Sequence, residues 1–195
     1  GSGGKAIATL LSEKFGCTLY DKELLSEAAK QSGICEEIFE DHDEKPTRSL
    51  LFSLVTGMQH HMGSGSFYMD MPLNHKIFLA QFDAIRRIAE EGPCVIVGRC
   101  AGEALENVDY NVNVFVTAKT GFRIKNVMEA FDLSFEEAER RIAEVDKARE
   151  RFHETYSRSR WQTFENYDLI VNTTEIGIDG AVKMILEYLE LRFPE

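Results

Sequence analysis

Residues 94–98 read Cys-Val-Ile-Val-Gly, a run without a single polar side chain. A strand with one wet face alternates apolar and polar residues. This one does not, which predicts a strand covered on both faces. Such strands belong to parallel sheets, because a parallel pair needs a crossover long enough to hold a helix, and that helix covers a face. CTLYD (17–21), NVNVFVTA (111–118) and DLIVNTT (168–174) read as further strands.

Helical patterns fill the intervals. In AIATLLSEKFG (6–16), Ile7, Leu10 and Leu11 share a face and Gly16 supplies the stop. DKELLSEAAKQSG (21–33) ends at Gly33, and NHKIFLAQFDAIRRIAEEGP (74–93) aligns Ile77, Ala80, Ala84 and Ile88. AGEALENV (101–108) is a short helix, and a long charged helix opens at Ser134 and Glu137, a capping box. GIDGAVKMILEYLELRF (177–193) closes the chain as an amphipathic helix. Between Ile34 and Pro72 the pattern weakens into an acidic stretch, an apolar LLFSLV segment and a loop rich in Gly, Met and His. The alternation predicts an α/β fold: a parallel sheet with helices on both faces.

Composition narrows the function. The 195 residues are 44% hydrophobic and 28% charged, as expected of one soluble globular domain. No apolar run approaches the roughly 20 residues of a membrane span, and no signal peptide is visible. Cys17, Cys35, Cys94 and Cys100 form no C-x-x-C pair and have no His at metal-ligand spacing, so reduced thiols in a cytoplasmic protein fit best. A net charge of −11 disfavours nucleic acid and anionic membranes as partners. Residues 140–160 reverse that sign, with seven Lys/Arg against four Asp/Glu. His60 and His61, among Met58, Met62, Met69 and Met71, read as a solvated loop and not as a metal site.

The N-terminal Gly-Ser-Gly-Gly-Lys has two readings, a flexible linker remnant or a glycine turn that cradles phosphate at a helix N-terminus. A phosphate turn needs a strand before it to aim the helix. The expectation is therefore that a strand, and the first half of its loop, are missing upstream of Gly1.

The ordered set GSGGKAIATLLSEKFGCTLYDKELL, CVIVGRCA, NVNVFVTA, EVDKARERF and DLIVNTTEIGI resembles successive landmarks of the cytidylate kinase-like proteins, P-loop kinases related to bacterial CMP kinase. The resemblance runs over nearly the whole chain and is weakest between residues 34 and 75. It implies a P-loop nucleoside monophosphate kinase-like three-layer fold in one domain over 1–195. An acceptor-binding insert would occupy about 34–90 and a lid about 134–160. It also implies phosphoryl transfer from ATP with Mg²⁺ to an acceptor, CMP or dCMP. A homo-oligomer is left open.

On that resemblance, Gly1, Ser2, Gly3 and Gly4 form the phosphate turn, with Lys5 as a point charge beside it. The family pattern ends G-K-[ST]. Here Gly4 stands at the usual lysine position, Lys5 comes one place later, and Ala6 brings no hydroxyl for the metal. Asp21 ends a strand where α/β sheets bind ligands; it faces the acceptor or its metal, or caps the next helix, and the roles are compatible. Gly98-Arg99 matches a family G-R-D segment whose Arg engages the acceptor phosphate, with Cys100 replacing the Asp. Lys147, Arg149 and Arg151, with Arg140 and Arg141 upstream, supply the lid's cations. Asn172, Thr173 and Thr174, with Glu175, would border the adenine and ribose. Gln81 and Arg86 or Arg87 are candidates for contact with the acceptor. Two other readings stand beside this one: a P-loop kinase for another small molecule, and a catalytically weak nucleotide-binding regulatory protein.

Overall fold

The computed structural model describes residues 1–22, 24–26, 73–158 and 160–194. Most of the expected 21–33 helix, Cys35, the LLFSLV segment and the loop carrying His60 and His61 lie outside them. In chain order come α1 (Gly4–Phe15), β1 (Thr18–Tyr20), α2 (Leu73–Glu91), β2 (Cys94–Ile96), α3 (Ala101–Ala104) and β3 (Val114–Thr117). They are followed by α4 (Thr120–Phe131), α5 (Phe135–Tyr156), a 3₁₀ turn (Phe164–Asn166), β4 (Leu169–Asn172) and α6 (Thr173–Arg192).

Every expected strand forms, and each pairs in parallel. Thr18 stands opposite Cys94 in the β1–β2 ladder, and Val114 opposite Leu169 in the β3–β4 ladder. The expectation of one continuous sheet needs correction, because among the described residues the strands make two separate two-stranded sheets. The expected full cover of the CVIVG strand is corrected with it. All of β2 and all of β3 are only half-buried, since both border an open groove.

One core joins the two sheets. Ile7 and Leu11 of α1 pack with Val171 of β4 and with Ala181, Val182 and Ile185 of α6; Val95 of β2 and Val114 and Val116 of β3 lean on the same cluster. Each such aliphatic side chain, when fully buried, stabilises the fold by about 1.5–3 kcal/mol. A second cluster joins Leu25, Ile85, Ile88, Ala104 and Leu105. The expected α2 stripe is correct, with Ile77, Ala80, Ala84 and Ile88 all buried. A third cluster, Ile124 and Val127 against Ala138 and Ile142, folds α4 onto α5.

The helices differ from expectation in three places. α4 was not foreseen, although Ile124, Val127 and Met128 recur at i, i+3, i+4. α3 stops after four residues. α6 starts four residues before the expected Gly177, capped by the Asn172 side chain, which accepts from the Thr174 N–H at 3.0 Å. Gly177 instead sits at a kink inside α6 with φ 64° and ψ −168°, a conformation that glycine tolerates best. α5 opens with the expected capping box: Ser134 Oγ accepts from the Glu137 N–H, and the Glu137 carboxylate accepts from the Ser134 N–H at 2.9 Å. Among the described residues no helix is long and apolar enough to cross a membrane.

Candidate nucleotide site

The glycine turn is held from three sides. Gly3, with φ 87°, caps α1 without any side-chain acceptor, and the first turn of α1 carries no acid. The N–H groups there therefore present the positive end of the helix dipole, and no side chain among the described residues caps them. The Gly1 carbonyl accepts from Asn126 Nδ2 at 2.8 Å, and the Ser2 carbonyl from Thr173 Oγ1 at 2.9 Å. Thr173 is fully buried, and its hydroxyl also lies 3.3 Å from the Thr117 carbonyl at the end of β3. A Cβ on Gly3 would stand 2.2 Å from Ile178 Cδ1.

Two arginines converge on this turn. Arg123 of α4 forms a bidentate pair with Asp146 of α5, both contacts at 2.8 Å. Arg149 approaches the same carboxylate at 3.9 Å. The Arg123 backbone packs against Gly1, and the positive charges of Arg123 and Arg149 act on this end of the turn, with Asp146 opposing them. Arg123 Nε is buried and has no hydrogen-bond acceptor among the described residues. A buried guanidinium nitrogen left so is costly, and an anionic ligand oxygen would satisfy it. Sequence reasoning missed Arg123 because it lies on the unforeseen α4; the Ile124/Val127/Met128 spacing was the available signal.

Lys5 and Asp21 pair at 2.9 Å, while the other Asp21 oxygen accepts from the Leu24 N–H at 3.3 Å. Asp21 is thus both a helix cap and the charge partner of Lys5. At the far side, Gly98, Arg99 and Cys100 all have positive φ, at 76°, 57° and 54°. Two non-glycine residues in succession there represent stored strain, a pattern concentrated at ligand sites. Arg99 places its guanidinium 5.1 Å from the Phe152 ring centre. Phe152 belongs to an aromatic cluster in which Tyr156 of α5 stacks on Phe78 of α2 at 4.1 Å. Burial, and after it the Glu103 carboxylate, push the Cys100 thiol up to about 11, with Arg99 opposing.

A groove of about 2500 Å³ takes in Gly1–Lys5, Asp21, Gln81, Gly98, Arg99, Arg123, Arg149 and Arg151. Gln81 is buried and donates to Ser26 Oγ at 3.2 Å. Other candidates are set apart from the groove. Lys147 lines an adjoining cleft with Trp161 and Gln162, which border the groove as well. Asn172, Thr173 and Thr174 are engaged in turn and cap bonds, Thr174 Oγ1 accepting from the Lys119 N–H at 2.8 Å. Arg86 donates to the Ala104 carbonyl at 3.1 Å and stacks on Phe82, a structural use.

The chain resembles a crystal structure of an uncharacterised protein from Eubacterium ventriosum ATCC 27560. The two are 27% identical with a TM-score of 0.72, over 97% of this chain and 92% of that one. No curated protein matches. A sequence profile of the cytidylate kinase-like family matches residues 1–175, a span that includes the glycine turn, Arg99, the Arg123–Asp146 pair and the end of β4. The chain belongs to the cytidylate kinase-like family, whose name marks it as nucleotide kinase-like.

Proposed function

We propose that this chain transfers the γ-phosphoryl group of ATP to a nucleoside monophosphate of the cytidine class, CMP or dCMP, as a P-loop kinase of the cytoplasm. The observation that carries the proposal is the packing of Arg123, with Arg149 on the same Asp146 carboxylate, against the glycine turn at the N-terminus of α1. Backbone donors and two guanidinium groups, one with a buried nitrogen lacking an acceptor, suit a polyphosphate.

In this reading the turn amides and Lys5 hold the donor phosphates, and Arg99 anchors the acceptor phosphate. Arg149 and Arg151, on the lid over about 134–160, neutralise charge as it develops on the transferring group. Lys147 would join them on lid movement. Thr173 fixes the turn, and Asn172 and Thr174 border the adenosine beside it. Asp21 and Gln81 face the acceptor side, together with the insert over about 34–90. An oxygen of the acceptor phosphate attacks the γ-phosphorus; the bond to the β–γ bridging oxygen breaks, and its electron pair leaves with ADP. The acceptor phosphate is already a competent nucleophile, so no general base is needed.

Mg²⁺ relies mainly on phosphate oxygens and water with one or two carboxylates, and Asp21 beside the turn fits that modest demand. Asp21 would hold it, and when bound it would neutralise charge developing on the transferring phosphoryl group.

A coupled ADP-release assay across CMP, dCMP, UMP, AMP and non-nucleotide acceptors tests the proposal. Turnover on CMP or dCMP exceeding the others by roughly tenfold supports it. Preference for another acceptor would make this a different small-molecule kinase. ATP binding with no turnover on any acceptor would reject catalysis and leave a regulatory nucleotide-binding protein.

A further inference from the structure

We infer that Phe152 of α5 is a positioning residue for the acceptor, its ring seating the Arg99 guanidinium where the acceptor phosphate is met. This rests on the reading of Arg99 as the acceptor anchor and goes beyond it by naming what holds that anchor. The Arg99 backbone lies in the left-handed region, between Gly98 and Cys100 in the same region. Such a turn fixes where the side chain leaves the backbone, but a long arginine chain keeps many rotamers beyond that point. The Phe152 ring narrows the choice, because the Arg99 guanidinium carbon lies over it, 5.1 Å from its centre. At that range the quadrupole of the ring attracts the cation.

Arg123 shows what a ring offers that an acid does not. Asp146 neutralises Arg123 and takes both of its terminal nitrogens. Phe152 carries no charge and no acceptor oxygen. Its ring therefore orients Arg99 without occupying the N–H fork or cancelling the positive charge, and an anchor for phosphate needs both.

Phe152 is itself held in place. Tyr156 follows it on the same face of α5, with ring centres 4.9 Å apart, and stacks at 4.1 Å on Phe78 of α2. Phe78 is buried and meets the Phe152 ring edge-to-face at 6.1 Å. Just beyond, Ser157 Oγ donates to the Glu103 carboxylate on α3, the helix that begins two residues after Arg99. The ring is thus fixed to α2 through its aromatic neighbours, and to α3 through the end of its own helix. Arg99, Phe152, Tyr156 and Phe78 all line the groove.

The test takes steady-state kinetics and CMP titrations on the wild type, Phe152→Leu, Phe152→Tyr, Arg99→Ala and the double variant Arg99→Ala/Phe152→Leu. Thermal melts show that each is folded. Phe152→Leu is expected to raise the KM and Kd for CMP by about three- to tenfold and to leave the KM for ATP unchanged. Phe152→Tyr keeps an aromatic face and should restore wild-type values. In the Arg99→Ala background Phe152→Leu should add nothing, because the ring acts through the cation. Should Phe152→Leu not fold, a trifluorinated phenylalanine at position 152 keeps the ring and weakens its quadrupole, and a similar rise is expected. An unchanged KM for CMP in the folded Phe152 variants, with a raised one in Arg99→Ala, would overturn the inference and leave the anchor standing. Equal losses for CMP and ATP, or a further loss in the double variant, would overturn it too and reduce Phe152 to packing. An Arg99→Ala variant with the wild-type KM, or a wild type that neither binds nor turns over CMP, would instead reject the underlying reading, and this inference with it.

Discussion

Asp146 on α5 holds Arg123 on α4 through both terminal nitrogens, at 2.8 Å each. The fork-to-fork geometry orients the guanidinium plane as a lysine could not, and it leaves Nε buried without an acceptor among the described residues. The pair therefore joins two helices and presents a donor at once.

Arg123→Lys keeps the charge but loses the fork. It should weaken binding of a non-hydrolysable ATP analogue by roughly tenfold, and Arg123→Ala by more, in proportion to one or two charge-assisted hydrogen bonds. Isothermal titration on folded variants reads the effect. Unchanged affinity in Arg123→Ala would remove Arg123 from the donor site.

Gly3→Ala faces two obstacles, a left-handed φ of 87° and the Ile178 side chain 2.2 Å from the new Cβ. The backbone term alone costs about 1–2 kcal/mol. Adding Ile178→Ala to Gly3→Ala should recover the steric part of the loss and leave the backbone part. A double variant whose nucleotide affinity matches Ile178→Ala alone would show that the turn conformation is immaterial.

The Cys100 thiol, pushed up to about 11, stays protonated at pH 8. In a Cys17→Ser, Cys35→Ser, Cys94→Ser background, iodoacetamide should modify it about two orders of magnitude more slowly than an unperturbed thiol. The rate should climb about tenfold per pH unit up to pH 10. Urea should abolish the difference. Rapid labelling of the folded protein at pH 8 would contradict the burial.

Hydrogen bonds from the Ser134 backbone and side chain hold the Glu137 carboxyl below its ordinary range. A lowered carboxyl pKa adds stability above the unfolded value, and that stability is lost as pH falls through the folded one. Glu137→Ala should therefore lower the melting temperature by about 2–4 °C at pH 7, with the gap closing as the pH drops below about 4. A gap independent of pH would mean that the carboxylate takes no part in the cap.

The strands were legible because continuous apolar runs announce themselves locally, and the α5 cap because its two residues are three apart. The division of the sheet was not. Half-burial of Val95 or Val116 depends on what stands beside a strand, which no pattern within that strand records. At the site, the glycine turn and Arg99 were singled out from residue chemistry and resemblance, and both line the same groove. Arg123 and Asp146 were not, since their partnership exists only after α4 folds back on α5. Asn172, Thr173 and Thr174 were assigned to the nucleotide by analogy, while in the fold Thr173 bonds the turn, Asn172 caps α6 and Thr174 accepts from the Lys119 N–H.

Thr173 reaches Ser2 across 171 residues. On a ribosome the glycine turn emerges 171 residues ahead of its fastener. The turn thus cannot take its final shape until Thr173 has followed it, however early α1 becomes helical. Nucleotide affinity should arrive late and abruptly, with the emergence of α6, so that truncated translation products lack a finished turn.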